Sequence, residues 1–405
     1  MPMTNGTVLI SGVGIAGPTL AYWLKVAGYE PTLVERAPAL REGGYVIDFW
    51  GLGYDIAERM GLIEDINRIG YHVREVRIVG DRGQRVTGFK TKVLDELTNG
   101  RFVTVPRSGL SRLLFEKVGS GTETLFDDEI TGIHGHDDTV HVQFKRAGAR
   151  RFDLVIGADG LHSNVRGLAF GPQKCFEKQL GYGVAALEAP GYRLRDEDVY
   201  LMYGWPGRMI GRFTQHDDRT LFLFIFATDG RPLPAALDQQ KAMLRDVYRD
   251  GKWETPQILT ELEHARELYF DSVSQIRMNR WSHGRIALVG DAAFCVSLLA
   301  GQGSALAMIS AYVLAGELAR ANGQYEAAFK SYESILRDYV LKKQKGAERL
   351  AGAFAPKTRW GLWFRNRVIG AFAIPGLARF VVGRDIIDTL RLPEYRWPSL
   401  DAPSR

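Results

Sequence analysis

Gly12-Val13-Gly14-Ile15-Ala16-Gly17 has the residue types and the spacing of a turn that cradles phosphate. Gly12 allows the tight turn, Gly14 lets backbone approach a pyrophosphate, and Gly17 lets a helix pack against a strand. The chemistry on offer is anion binding, because free N–H groups and the positive end of a helix dipole face the phosphate. Further on, Glu35 is placed to accept hydrogen bonds from a ribose diol.

These residues serve only if the elements around them stand in register. Thr7-Val8-Leu9-Ile10-Ser11 is β-branched and apolar and reads as the strand before the turn. Pro18 through Ala27 reads as the helix after it, closed by Gly28, and Thr32-Leu33-Val34 reads as the strand that delivers Glu35. Glycine-rich turns are common. Strand, spaced glycines, helix and acid in this order specify a dinucleotide site.

Composition fits an ordinary globular enzyme. The 405 residues, 45% hydrophobic and 24% charged, suffice for two or three domains and a sizeable core. A net charge of +5 is small for this length and no Lys/Arg run stands out, so no nucleic-acid role is expected. Cys175 and Cys295 offer neither a disulfide framework nor a metal-ligand cluster. A strand beginning by Thr7 leaves no room for a signal peptide, and a cytoplasmic location is expected.

The elements interleave. Gly43, Gly44, Gly51 and Gly53 mark a loop-rich segment before a helix near 54–60. Residues 71–105 alternate as strands, 108–118 look helical, and 138–156 read as a hairpin feeding a buried strand. From 176 to 275 the pattern is aromatic and β-rich, with His216-Asp217-Asp218-Arg219 as a hairpin turn. A short apolar strand over 285–289 and an Ala-rich helix over 304–321 follow. The expectation is an α/β fold. A Rossmann-like domain with a parallel sheet, over 1–72, 100–175 and 276–345, is interrupted by a mostly antiparallel sheet domain over 73–99 and 176–275. Residues 346–405 form a C-terminal helical segment.

Two further motifs carry acids at strand ends. Phe152-Asp153-Leu154-Val155-Ile156-Gly157-Ala158-Asp159-Gly160 is followed by Ser163 and Arg166. Ile286-Ala287-Leu288-Val289-Gly290-Asp291-Ala292-Ala293 repeats the design, and Gly301-Gln302-Gly303 opens the next helix. Each alone is also readable as an Asx turn that closes a strand. Together, in this order, they closely resemble the flavin-dependent aromatic hydroxylases of the p-hydroxybenzoate hydroxylase type, the group A flavoprotein monooxygenases. The resemblance runs over residues 7–340 or so.

It implies non-covalent FAD, with the pyrophosphate on residues 12–17, the adenosine ribose on Glu35 and the adenine beside Arg36. Arg107, heading Arg107-x-x-Leu110-x-x-x-Leu114, resembles the family's arginine that reaches the pyrophosphate region. Asp159 is expected to order its own loop and Asp291 to bind the ribityl chain. The helix after Gly301 and Gly303, beginning at Ser304, would aim its N–H groups at the flavin pyrimidine ring, where charge gathers on reduction.

A closer likeness is to the tetracycline-inactivating monooxygenases. Arg41-Glu42-Gly43-Gly44-Tyr45-Val46-Ile47-Asp48 resembles their Arg-x-Gly-Gly-x-x-x-Asp segment, which implies that Arg41 and Asp48 lie near nicotinamide and FAD. A tail with Trp360, Trp363, Phe364, Val368, Ile369, Phe372 and Phe380 resembles their long, domain-bridging C-terminal helix. Pro375 and Arg365, Arg367, Arg379 and Arg384 exclude a membrane span, and packing is expected in preference to a membrane-surface role. Phe294 stands where the family has histidine, and Ser297 and Leu298 where it has prolines, which predicts a more apolar pocket facing flavin or substrate. Tyr203, Arg212 and His216 are the polar pocket candidates, each also readable as a satisfied sheet or loop residue, and Phe224 and Leu298 are the apolar ones.

By this resemblance the chemistry is borne by the flavin and no side chain is assigned as catalytic. NAD(P)H reduces FAD, O₂ gives a flavin C4a-hydroperoxide, and its distal oxygen passes to a phenolic or polycyclic aromatic substrate, an antibiotic such as tetracycline among the candidates. NAD(P)H would bind transiently, in keeping with the lack of a second GxGxxG. There is no Gly-x-Ser-x-Gly elbow for a hydrolase and no Trp-x-Trp-x-Ile for a halogenase. Two alternatives stay open: an FAD reductase of the geranylgeranyl-reductase kind, and a flavin-bound sequestering protein without turnover.

Overall fold

Thr7–Ser11 pairs in parallel with Glu30–Glu35 on one side and with Leu154–Gly157 on the other, and Leu154–Gly157 pairs in parallel with Ile286–Leu288. Thr124–Phe126 and Ser282–His283 close the edges of this six-stranded sheet. Val8, Leu9 and Ile10 are buried, as are Val155 and Ile156, so the central strands are covered on both faces. That is why they read as continuous apolar runs rather than as alternating ones. The computed structural model describes residues 6–41, 43–135, 138–192, 198–215, 218–372 and 388–397. Glu42, His216, Asp217, Pro375, Arg379, Phe380 and Arg384 lie outside the described residues.

A seven-stranded sheet stands beside the first, in the order Tyr269–Ile276, Glu177–Pro190, Arg219–Ala227, Arg208–Gln215, Val199–Trp205, Glu75–Val79 and Arg85–Lys90. All its pairings are antiparallel except that of Val199–Trp205 with Glu75–Val79. The β-rich reading of 176–275 missed two helices, Leu237–Tyr248 and Thr255–His264. Leu244 and Tyr248, then Ile258 and Leu262, recur four residues apart and bury against Phe222, Phe224 and Phe226. That spacing is a helical stripe, not a strand pattern. A short helix, Lys92–Leu97, likewise interrupts the strands of 71–105.

A helix ahead of the tail touches both sheets, and its Tyr332 donates to the Leu288 carbonyl at 3.0 Å. Helix Tyr325–Phe354 runs for 30 residues. Its Gln344 donates to the Ile276 carbonyl at 2.8 Å, while Gln275 donates to the Gln344 carbonyl at 2.8 Å and to that of Val296 at 3.1 Å. Of the tail aromatics, Trp360, Trp363 and Phe364 sit on a 13-residue helix, Arg359–Ala371, packed on the edge strand Arg85–Lys90. Among the described residues no helix is long and apolar enough to cross a membrane.

Candidate functional site

Parallel strands bring their carboxyl ends to one edge of the sheet, and here that edge collects all three motifs. The glycine turn follows Ser11, Glu35 ends its strand, the Asp159 loop follows Gly157, and Asp291 follows Leu288 by three residues. Two glycines are obligatory. A Cβ on Gly17 would lie 1.9 Å from the Gly12 carbonyl oxygen, and one on Gly12, at φ +104°, would lie 2.7 Å from the Ala158 carbonyl oxygen. Gly14 has room, its nearest neighbour being Arg107 Nη2 at 3.5 Å.

The turn is held from behind. Glu35 accepts from the Val13 N–H and the Ala37 N–H, both at 3.0 Å. Ser111 donates to the carbonyls of Val13 and Gly14 at 3.2 and 3.0 Å. With those carbonyls engaged, the N–H groups at the start of helix Ala16–Val26 are left for an anion, and Ile15 supplies no side-chain cap. Ser111 was not anticipated. It stands four residues after Arg107 on helix Arg107–Val118, hence on the same face, and that spacing is the signal that would have found it. Arg36 is exposed at the strand's end, and Arg41 is exposed in the loop before Val46–Trp50.

Asp159 accepts from Ser11 Oγ at 3.3 Å, the Asn164 N–H at 2.9 Å, the Val165 N–H at 3.1 Å and the Ser163 hydroxyl. Burial pushes its carboxyl above the ordinary range and these bonds oppose the shift. Arg166 from the same motif is fully buried and reaches across to the Ala292 carbonyl at 2.9 Å, directly behind Asp291. Burial raises the Asp291 carboxyl too, while the Arg107 charge and the Cys295 thiol pull it down. Asp291 faces Gly303, the first residue of helix Gly303–Arg320, whose first turn is not capped by the Gln302 side chain. Asp48 accepts from Thr104 Oγ1 at 2.6 Å, and it lines a small cavity with Trp50, Gly301 and Gln302.

The residues present fit FAD: two uncapped helix starts for phosphate and flavin, a glycine open to close approach, an arginine beside it, and buried carboxyls for hydroxyl groups. Among the described residues no cluster suits a metal ion. If Asp291 holds the ribityl hydroxyls as the resemblance implies, Asp291→Ala is expected to weaken FAD binding about tenfold or more, the scale of one or two hydrogen bonds worth about 0.5–1.5 kcal/mol each. Fluorescence titration of the apoprotein measures it, and an unchanged affinity would remove Asp291 from the site.

The pocket expectations need correction. Along a strand, alternate residues face opposite sides. Tyr203, Arg212 and Phe224 all face outward, under helices Leu237–Tyr248 and Thr255–His264 and the loop between them. Tyr203 donates to Asp81 at 3.0 Å and accepts from the Lys252 N–H at 3.1 Å. Arg212 pairs with Glu254 at 2.5 Å over Trp253, and Phe224 packs on Tyr248 with ring centroids 5.2 Å apart. The inner face carries their neighbours: Tyr200, Met202, Met209, Leu223 and Tyr269 pack toward Tyr45, Leu298 and Leu299. Tyr45 and Tyr269 form a ring pair 5.2 Å apart. Among the described pocket candidates, Leu298 alone is on the cleft side. Phe294 does not face the cleft; its ring packs on Trp281 at 4.6 Å in the core. Ser297 takes φ +110°, a strained conformation for a non-glycine residue that costs roughly 1–3 kcal/mol.

Residues 5–342 match the FAD binding domain family. A protein of Mycobacterium tuberculosis, described as uncharacterized, is 38% identical over 353 residues, which cover 84% of this chain and 91% of that protein. A flavin-dependent monooxygenase of Legionella longbeachae is 33% identical over 362 residues, covering 87% of this chain and 90% of the relative. The crystal structure of tetracycline destructase Tet(55) matches with a TM-score of 0.83 at 30% identity, over 98% of this chain and 100% of that one.

Proposed function

The chain belongs to the FAD binding domain family of flavin-dependent monooxygenases, and from that premise we propose that it uses NAD(P)H and O₂ to hydroxylate a phenolic or polycyclic aromatic molecule. The observation that carries the substrate class is the inner sheet face, where Tyr200, Met202, Leu223 and Tyr269 stand against Tyr45 and the Leu298–Leu299 segment beyond Asp291. Such a surface suits a flat apolar ring.

Bound without a covalent link, FAD would supply hydride acceptance and oxygen activation. The chain's own residues bind and orient. Residues 12–17, with Arg107, would take the diphosphate, while Glu35, whose oxygens also hold the Val13 and Ala37 N–H groups, would take the ribose and Asp291 the ribityl chain. The positive end of helix Gly303–Arg320 would favour negative charge on a flavin ring bound before it. Tyr45, Tyr269 and Leu298 exclude water from the reacting centre. The likeness to Tet(55) makes tetracyclines natural members of a first substrate panel.

The test is NAD(P)H oxidation with O₂ uptake across phenols, quinolones and tetracyclines. Stimulation by an aromatic compound, with hydroxylated product, is expected. Reduction of the compound without O₂ consumption would favour the reductase alternative, and tight binding with no turnover would favour sequestration.

Arg41 is proposed to meet the nicotinamide cofactor. Arg41→Ala is expected to slow anaerobic flavin reduction by NAD(P)H about tenfold or more, the scale of a lost charge-assisted hydrogen bond, while FAD stays bound. Reoxidation of chemically reduced protein by O₂ should keep its rate. A reductive half-reaction of wild-type speed in stopped flow would make Arg41 a plain surface charge.

A further inference from the structure

Helix Arg359–Ala371 turns its aromatic stripe outward. Trp360, Trp363, Phe364 and Arg367 recur at i, i+3, i+4 and i+7, the spacing that normally seats a helix on a core. Here the three aromatics are 80%, 52% and 65% exposed. The opposite face is already committed. Arg365 is buried, donates to the Phe354 carbonyl at 3.0 Å and lies against Gly204. Phe372 packs on Phe89 with ring centroids 5.4 Å apart. The helix therefore cannot roll to hide its tryptophans without breaking this anchorage.

The segment that carries the stripe has charge of one sign. Residues 355–371 contain Lys357, Arg359, Arg365 and Arg367 and no Asp or Glu. Lys357 is paired with Asp229 and Arg365 is buried, which leaves exposed Arg359 and Arg367 flanking the aromatics. The Arg367 guanidinium stacks 5.1 Å from the centre of the Trp363 ring.

We propose that this helix docks on an anionic bilayer surface, lying in the plane of the headgroups without crossing. Exposed Trp and Phe on one face with cations beside them is the composition of interfacial helices, and indole rings settle at headgroup level. Charge complementarity selects the occupant: Arg359 and Arg367, which form no ion pair among the described residues, meet negative headgroups. A second copy of the chain is disfavoured, because a two-fold contact through this stripe would set like charges against each other. This departs from the expectation that the tail serves only for packing, and it does not depend on the substrate reading.

Flotation of the FAD-loaded full chain tests it, with phosphatidylcholine vesicles and with vesicles also containing phosphatidylglycerol. Binding is expected to the anionic vesicles, to fall with salt, and to drop about tenfold or more in Trp360→Ser/Phe364→Ser. Both positions are exposed, so the flavin spectrum and melting temperature of the variant should match wild type. An Arg359→Gln/Arg367→Gln chain should lose the preference for anionic vesicles. The proposal is overturned if the protein stays with the soluble fraction at low salt, if it binds neutral and anionic vesicles equally, or if the double serine variant floats like wild type. Concentration-dependent dimerisation abolished by the serine changes, without vesicle binding, would also overturn it and assign the stripe to a second copy.

Discussion

Gly17→Ala is expected to abolish FAD binding and to destabilise the fold, whereas Gly14→Ala removes the cofactor and leaves the apoprotein standing. Helix propensity alone argues the other way for Gly17, since alanine gains about 1 kcal/mol over glycine inside a helix. Packing decides. A Cβ at position 17 would sit 1.9 Å from the Gly12 carbonyl oxygen and 3.5 Å from Ile10 Cγ2, between the helix and the strand it lies on. Relief requires the helix Ala16–Val26 to lift from the sheet, and overpacking of this kind costs about 1–3 kcal/mol or more. Lifting also displaces the N–H groups that face the phosphate. Gly14 differs because its Cβ would meet only Arg107 Nη2, at an ordinary 3.5 Å. Its methyl would project where a diphosphate must approach. Urea denaturation of both apoproteins, with FAD titration alongside, separates the two roles. Equal stability of Gly17→Ala and wild type would show that the helix has slack that the close approach denies.

Arg166→Met is expected to lose about 2–4 kcal/mol of stability and to release FAD faster, although the side chain touches no cofactor position directly. Arg166 is fully buried, and burial pulls its pKa down from the usual arginine value. It donates to the carbonyls of Ala292 and Leu161 at 2.9 and 2.6 Å and to Gln173 Oε1 at 3.1 Å. Methionine fills the volume and removes the desolvation penalty but leaves three acceptors without a donor. The Ala292 carbonyl follows Asp291 directly, so freeing it loosens the segment that carries Asp291. A fall in the urea midpoint at constant slope, with a faster FAD off-rate, is the expected pair of results. Replacement of a buried charge by an apolar residue is sometimes neutral. A variant as stable as wild type would show that desolvation and hydrogen bonding cancel here.

The placement of the three motifs was readable in the chain because its determinants are local. Glycine at 12, 14 and 17 answers to backbone clashes within one βαβ unit, and Asp159 binds the loop it belongs to. Parallel strands then force the three motifs to a common edge, so order along the chain becomes proximity in space. The pocket above it was not readable. Alternation along Val199–Trp205 or Arg208–Gln215 says that Tyr203 and Tyr200, or Arg212 and Met209, point opposite ways, but not which way meets the cofactor. Helices Leu237–Tyr248 and Thr255–His264 settled that by covering one face, leaving Tyr200, Met202 and Met209 toward the cleft. Phe294 likewise went to Trp281, and the stripe of Trp360, Trp363 and Phe364 went to solvent, because long-range partners had already taken the opposite positions. Local sequence sets which side chains share a face; only the packing of distant elements decides what that face meets.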